Sequence, residues 1–137
     1  MTTSEKMTFK EAWRAVGNPS PGNTSWSADV NGRPVFTAWA LRDLKYDKVN
    51  RRSTFFSPPG DWVFRGEGQS YLRRAKQAHE KNWVCRLILL DGVEPWEKVR
   101  FAYIDERHYG VRFSQVEADG TIKGDLIAMS DFEATGK

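Results

Sequence analysis

The 137-residue sequence predicts an α+β fold, in which two short helices pack on a strongly bent, mostly antiparallel sheet of about seven or eight strands. Short apolar runs alternate with turn signals along most of the chain, whereas helical spacing of apolar residues is confined to two segments. So many short strands also allow partial closure into a barrel. We expect one domain over 1–137, with an N-terminal helix and a Pro/Gly-rich connector at 1–22, the sheet at 23–131 with a helix inserted at 70–82, and a short tail at 132–137.

The first helix is predicted to start at Thr8, which forms a capping box with Glu11, and to be closed by Gly17. Its apolar residues recur at spacings of three and four: Phe9, Ala12, Trp13 and Val16. Such a stripe suits either a partner-binding helix or a helix docked on the sheet of its own domain. Docking on its own sheet is favoured, because a helix this short needs tertiary contacts.

Two tight hairpin turns are predicted at Asn31-Gly32 and Asp119-Gly120, since these residue pairs tolerate positive φ. Apolar runs place the strands at Trp26–Val30, Val35–Leu41, Val49–Phe56, Trp62–Phe64, Trp83–Leu90, Glu97–Ile104, Tyr109–Glu117 and Thr121–Met129. Both faces of the second strand are largely apolar. We therefore expect this part of the sheet to be covered on two sides.

The second helix is expected to begin with Ser70 as its N-cap and to end near Asn82. One arc of this helix holds Tyr71, Leu72, Ala75, Ala78, His79 and Asn82. The remaining surface is mostly basic. The thin inward face predicts close packing on the sheet, with a basic face outward.

Positive charge is concentrated in the middle of the chain. Residues 42–86 contain eleven Lys and Arg but five Asp and Glu, whereas 87–137 contain six basic and ten acidic residues. A basic region attracts polyanions, and flat rings stack on unpaired bases. The predicted phosphate contacts are Arg51, Arg52, Arg65, Gly66, Gly68, Ser70, Arg73, Arg74 and Lys76. The predicted stacking rings are Trp62, Tyr71, Trp26 and Tyr46. This pattern predicts a non-enzymatic nucleic-acid-binding module with DNA or RNA as its partner, although a solvated charged face has the same composition.

The glycines before the second helix offer a possible phosphate site, because amides at a helix N-terminus bind anions. Gly66 and Gly68 follow the short run that ends at Phe64. The dinucleotide-binding fingerprint fails, since Tyr71 stands where a third small residue is required, and no Walker lysine follows. The alternative interpretation is a turn that needs unusual φ.

Two other functions are compatible with the sequence. A protein-interaction module, such as an adaptor or inhibitor, would use exposed aromatic residues or the acidic C-terminal sheet. A metal-dependent phosphodiesterase would need a carboxylate followed by an acid-x-Lys pattern, which Asp29 and Asp43-Leu44-Lys45 match. So short a pattern is common by chance, so this function ranks last.

The remaining reactive residue types carry little signal. Asp105, Glu106 and His108 are metal-capable, but they lie in a predicted turn and are expected to be solvated. Cys85 lies in an apolar run and is expected to be a small buried residue. We therefore predict no catalytic residue, metal or cofactor. Without a signal-like or membrane-spanning apolar segment, the expected location is the cytoplasm, with no membrane partner.

Overall fold

The structure is a computed structural model that describes residues 7–17, 26–39, 43–49, 52–90 and 102–135. Within these ranges the chain forms three α-helices and eight strands. In chain order they are α1 (Phe9–Ala15), β1 (Ser27–Val30), β2 (Arg33–Trp39), β3 (Leu44–Asp47), β4 (Arg52–Ser57), α2 (Gly66–Glu80), β5 (Cys85–Leu90), β6 (Ala102–Tyr103), β7 (Gly110–Val116), β8 (Ile122–Ile127) and α3 (Met129–Thr135). Two 3₁₀ helices lie at Asp61–Phe64 and Glu106–His108. The predicted α+β class is confirmed.

The strands form one mixed sheet in the order β1-β2-β5-β7-β8-β4-β3, and β6 also pairs with β5. The β2–β5 pair is parallel, with Phe36 opposite Leu87, and the other pairs are antiparallel. Among the described strands, β1 and β3 lie at opposite ends of this order. The sheet is therefore not closed into a barrel.

Both faces of the central strands are buried, as the apolar β2 sequence predicts. On one face, a core cluster joins the sheet to α2 and includes Phe36, Leu87 and Tyr71. On the other face, Val35 and Ile88 pack with α1. Two-sided burial is typical of strands in parallel pairs and explains why β2 and β5 have nearly continuous apolar sequences.

Local signals for α1 and the hairpins are confirmed. The Glu11 N–H donates to Thr8 Oγ1 at 3.1 Å, and the Thr8 N–H donates to Glu11 Oε1 at 2.8 Å, which completes the capping box. Asn31 and Gly32 have φ values of 53° and 81°, as a type I′ turn requires. Gly120, between β7 and β8, has φ 102°.

The segment before α2 differs from its prediction. Trp62–Phe64 was expected to be a strand but belongs to a 3₁₀ helix. A run of three apolar residues is too short to distinguish the apolar spacing of a helix from that of a strand. Helix α2 then begins at Gly66 instead of after Ser70, so Ser70 lies inside the helix and is not its N-cap. Arg65 occupies the N-cap position without a side-chain cap.

Three other boundaries are corrected. Leu44–Asp47 forms an unpredicted strand, β3, and the strand expected at Val49–Phe56 is β4, beginning at Arg52. The strand expected at Glu97–Ile104 falls partly outside the described residues, and the described part of it contains β6. Helix α3 replaces the predicted end of the last strand and the short tail. In α3 the ring of Phe132 packs 5.2 Å from that of Tyr109. A helix of seven residues is too short for its apolar spacing to be recognised in the sequence. None of the described helices has the length and apolar character needed to cross a lipid bilayer.

Candidate functional site

The Gly-x-Gly pattern serves packing at the start of α2. Gly68 is buried, and a Cβ placed on it would overlap the backbone carbonyl oxygen of Trp62. Neither Gly66 nor Gly68 has positive φ, so an unusual backbone conformation does not explain the pattern. A Cβ on Gly66 would meet nothing within 4 Å. The two glycines therefore differ. Gly68 permits close contact between α2 and the backbone of Trp62, whereas the space beside Gly66 is unoccupied by described residues.

Two of the four predicted stacking rings lie at the core: Tyr71 belongs to the core cluster, and Trp62 packs against it. Tyr71 is buried, and its hydroxyl donates to the carbonyl of Thr37 at 2.8 Å. Its ring lies 6.0 Å, edge to face, from the half-buried ring of Trp62. The Trp62 indole N–H donates to the carbonyl of Pro58 at 3.3 Å. The burial of Tyr71 leaves no face on which a base could stack, and Trp62 is only partly exposed.

The other two predicted rings occupy separate places. Trp26 is half-buried 6.4 Å from Trp62, and its backbone N–H donates to Glu67 Oε1 at 3.0 Å. Tyr46 lies on the edge strand β3 and is 61% exposed. The structure therefore brings Trp26, Trp62 and Tyr71 together at the core, whereas Tyr46 is the one of the four rings that is largely exposed.

The predicted cations also separate into two groups. Arg74 donates to the carbonyl and hydroxyl of Ser27 at 3.1 and 2.9 Å and pairs with Asp29 at 3.4 Å. This side chain joins α2 to β1. Arg52 pairs with Asp125 at 3.5 Å, and both side chains are substantially exposed. Arg51 lies outside the described residues.

The remaining predicted cations, Arg65, Arg73 and Lys76, are exposed on α2 or just before it. Together with the exposed Phe64 and Gln69 they are here called the α2 stripe. On a helical wheel, Gln69, Arg73 and Lys76 fall within an arc of about 60°. Arg65 and Phe64 precede α2 and are exposed, and the Gln69 side-chain amide donates to the backbone carbonyl of Phe64 at 3.5 Å. Phe64 is 77% exposed. Sequence reasoning did not include Phe64 among the stacking rings, because three apolar residues in a row give no indication of which side chain is exposed.

The α2 stripe has a positive field. Within the described part of the chain, Arg65, Arg73 and Lys76 form no ion pair. The start of a helix adds a partial positive charge, and here no side chain caps the first amides. Glu80 lies in the same arc at the far end of α2. The stripe can therefore attract an anionic group most strongly near Arg65.

A second arrangement lies where β3 and β4 face the 3₁₀ helix at Glu106–His108. A cleft of about 250 Å³ opens there between Tyr46, Ser53, Tyr103 and His108. His108 Nε2 lies 3.2 Å from the hydroxyl of Ser53, which is 55 residues away in sequence. Sequence reasoning missed this pairing because no local spacing connects the two residues.

Asp105 organises the residues beside this cleft. The expectation of a solvated turn is wrong for Asp105, which is buried and accepts the Arg107 N–H at 2.8 Å. The Arg107 guanidinium also donates to this carboxylate, at 3.4 and 3.2 Å. Burial alone would raise the pKa of Asp105, but the hydrogen bonds from Arg107 outweigh it and hold the pKa below its usual value. Asp105 is therefore ionised at neutral pH.

His108 is neutral at the same pH. Burial lowers its pKa, although the charge of Asp105 acts in the opposite direction. Asp105, His108 and Ser53 stand in the order of a carboxylate–imidazole–hydroxyl triad. However, Asp105 Oδ2 and His108 Nδ1 are 3.8 Å apart, too far for a hydrogen bond, and the carboxylate is occupied by Arg107. The arrangement can donate and accept hydrogen bonds, but it does not orient the imidazole as a triad does.

The phosphodiesterase pattern is not assembled. Asp29 pairs opposite Pro34, whereas the Asp43 carboxylate accepts the Trp39 N–H at 2.9 Å. These anchor points are five residues apart on β2, or about 16 Å. The described residues contain no group of three His, Cys, Asp or Glu side chains placed to hold a metal ion.

Two further predictions about single residues have opposite outcomes. Cys85 is fully buried, as predicted, and burial raises its pKa to about 12. His79 is exposed on α2, so its predicted inward position is wrong. The contact with the sheet is made by Ala75 and Ala78, which are small enough for close approach.

No protein-family model, curated protein or solved structure matches this chain. The α2 stripe and the cleft beside His108 are therefore the two arrangements from which a function can be inferred. They differ in chemistry, since the stripe is an exposed set of cations and the cleft is a concave site lined by both apolar and polar side chains.

Proposed function

We propose that this chain is a non-enzymatic nucleic-acid-binding module and that the α2 stripe is its contact surface. The observation that carries the proposal is the exposure of the Phe64 ring, which precedes Arg65 and α2 in the sequence, together with exposed cations that have no acidic partner among the described residues. Cations replace the counterions of phosphates, and an exposed ring stacks on an unpaired base. A single strand, whose bases are accessible, suits this combination better than a duplex.

The proposal concerns fewer residues than the sequence suggested. Arg74 and Tyr71 are engaged in the fold, which leaves Arg65, Arg73 and Lys76 as the phosphate contacts. Three phosphate contacts to a single strand would give a log–log salt slope of about −2. We further propose a cytoplasmic location.

Fluorescence anisotropy with labelled single-stranded and duplex DNA and RNA, at roughly 50 and 200 mM salt, tests the proposal. The double variant Arg73→Ala/Lys76→Ala should weaken binding and make the salt slope shallower by about 1.4. Phe64→Ala should weaken single-strand binding about 5-fold or more, with little change in slope. Arg14→Ala is the matched control, because it removes an exposed cation from α1 on the other face of the sheet.

A protein partner is the second candidate, favoured by the exposure of Phe64 and of Val49, which is 91% exposed. Binding through an aromatic hot spot would depend little on salt and would fail on Phe64→Ala alone. The nucleic-acid proposal is wrong if no oligonucleotide binds, or if the double variant leaves both affinity and salt slope unchanged.

A further inference from the structure

The lining of the cleft beside His108 includes apolar and aromatic side chains. Leu44 and Leu89 form part of its lining, and Leu89 is buried in the core cluster on which α2 packs. Tyr103 is half-buried at the cleft, and Tyr46 is 61% exposed. The other five of the nine lining residues are polar or charged. Small-molecule sites combine apolar and aromatic surface with polar groups that fix the orientation of the ligand. This surface suits a flat ring.

The same cleft is lined by two cations and by the carboxylate of Asp105. Lys45 lies on β3 and is exposed. The side chain of Arg107 is 75% exposed, but its guanidinium is held in place by two contacts to Asp105. Since a guanidinium presents several donors in a fixed plane, its remaining N–H groups can bind an oxyanion. The cleft therefore combines a ring surface with a place for one anionic group.

Ser53 and His108 supply hydrogen-bonding groups between these parts. Their side chains lie 3.2 Å apart and both line the cleft. A neutral imidazole has one donor and one acceptor nitrogen, and a hydroxyl can act in either role. Together they can pair with the polar edge of a heterocycle, which has both kinds of group.

We propose that this cleft binds a single nucleotide, with its base against Tyr46 and Tyr103 and its phosphate at Lys45 and Arg107. The volume of about 250 Å³ lies just below the range of about 300–1,000 Å³ typical of small-molecule sites, which suits one nucleotide better than several. The nucleotide has two possible sources, a free nucleoside monophosphate or one residue of a nucleic-acid strand. The inference does not depend on the α2 stripe, because none of the stripe residues lines the cleft.

Titration of the protein with each of the four nucleoside 5′-monophosphates, followed by ¹H–¹⁵N NMR, tests this inference. Adenosine and ribose 5-phosphate separate the contributions of the ring and of the phosphate. Saturable shifts at β3, β4 and Glu106–His108 are expected for at least one monophosphate. Tyr46→Ala should weaken binding of the monophosphate and of adenosine about 5-fold or more. Lys45→Ala should weaken the monophosphate alone.

Two comparisons distinguish the sources and separate this inference from the nucleic-acid proposal. Arg73→Ala, on the α2 stripe, should leave monophosphate binding unchanged. If the ligand is part of a strand, Tyr46→Ala also weakens oligonucleotide binding; if it is a free nucleotide, it does not. Lys45 and Tyr46 are exposed, so both variants should keep the fold, which thermal unfolding checks. The inference is overturned if no monophosphate binds at millimolar concentration, or if ribose 5-phosphate binds as well as the nucleotides.

Discussion

Gly68, in the first turn of α2, lies against the backbone carbonyl of Trp62, with no room for a side chain between them. A Cβ on Gly68 would overlap that oxygen and would also lie 3.1 Å from Cε3 of the Trp62 ring. This contact fixes the start of α2 on the 3₁₀ helix and holds the half-buried Trp62 against the core. The α2 stripe begins at the same place, so its position depends on a glycine that does not itself face a ligand.

Replacing this glycine should therefore destabilise the protein. Gly68→Ala is expected to lower the free energy of unfolding by about 1–3 kcal/mol, because the backbone must move to relieve the overlap. Gly66→Ala is the matched control: its Cβ would meet nothing within 4 Å, and alanine favours helix. Urea unfolding measures both variants. Equal effects at the two positions would contradict the assigned role of Gly68.

Local sequence patterns predicted the elements whose cause is local. The capping box at Thr8, the positive φ values at Asn31-Gly32 and the burial of Cys85 each follow from a few neighbouring residues. The inward face of α2 was also largely predicted, because Tyr71, Ala75 and Ala78 repeat at helical spacing.

The remaining features depend on contacts that are distant in sequence. The parallel pairing of Phe36 with Leu87 joins strands that are about fifty residues apart. The cleft needs Ser53 to meet His108, and no spacing rule predicts such a contact. Charge counts could not show that Arg74 is engaged and Arg73 is exposed, since adjacent helix positions differ by about 100° in direction. The basic outer face of α2 was therefore predicted from the sequence, whereas the exposure of Phe64 and the engagement of Arg74 were not.

Arg73 and Arg74 should have separate effects when they are replaced. Arg74→Ala removes the hydrogen bonds to Ser27 and the ion pair with Asp29, so the free energy of unfolding should fall by about 1–3 kcal/mol. Arg73→Ala should change stability by less than about 0.5 kcal/mol, because this side chain is exposed. Thermal and urea unfolding of the two variants make the comparison. A stability loss at Arg73 equal to that at Arg74 would refute the division of their roles.

Cys85 should be unreactive in the folded protein. Its pKa is raised to about 12 by burial, and the thiolate is the reactive form. Labelling with a thiol reagent at about pH 8 should be at least about 100-fold slower in the native state than in denaturant, where one thiol per chain should react. Cys85→Ser provides the blank for the assay. Rapid stoichiometric labelling without denaturant would show that Cys85 is accessible in the native protein.

The burial of His108 predicts a loss of stability in mildly acidic solution. Its pKa in the folded protein lies below the ordinary value of 6.5, chiefly because burial disfavours the charged imidazole, with Asp105 opposing and Arg107 reinforcing that effect. As the pH falls below about 6.5, the unfolded state binds the proton first, so the free energy of unfolding decreases until the folded-state pKa is reached. A tenfold difference in proton affinity between the two states corresponds to about 1.4 kcal/mol.

Urea unfolding between about pH 7.5 and 5 should show this decrease in the free energy of unfolding, and His108→Asn should reduce it. His79→Gln is the control for loss of an exposed imidazole. The range stays above the pH at which Asp105 titrates, because its pKa is lowered from 3.8. A stability that rises on acidification, or a slope that His108→Asn leaves unchanged, would rule out the buried neutral imidazole.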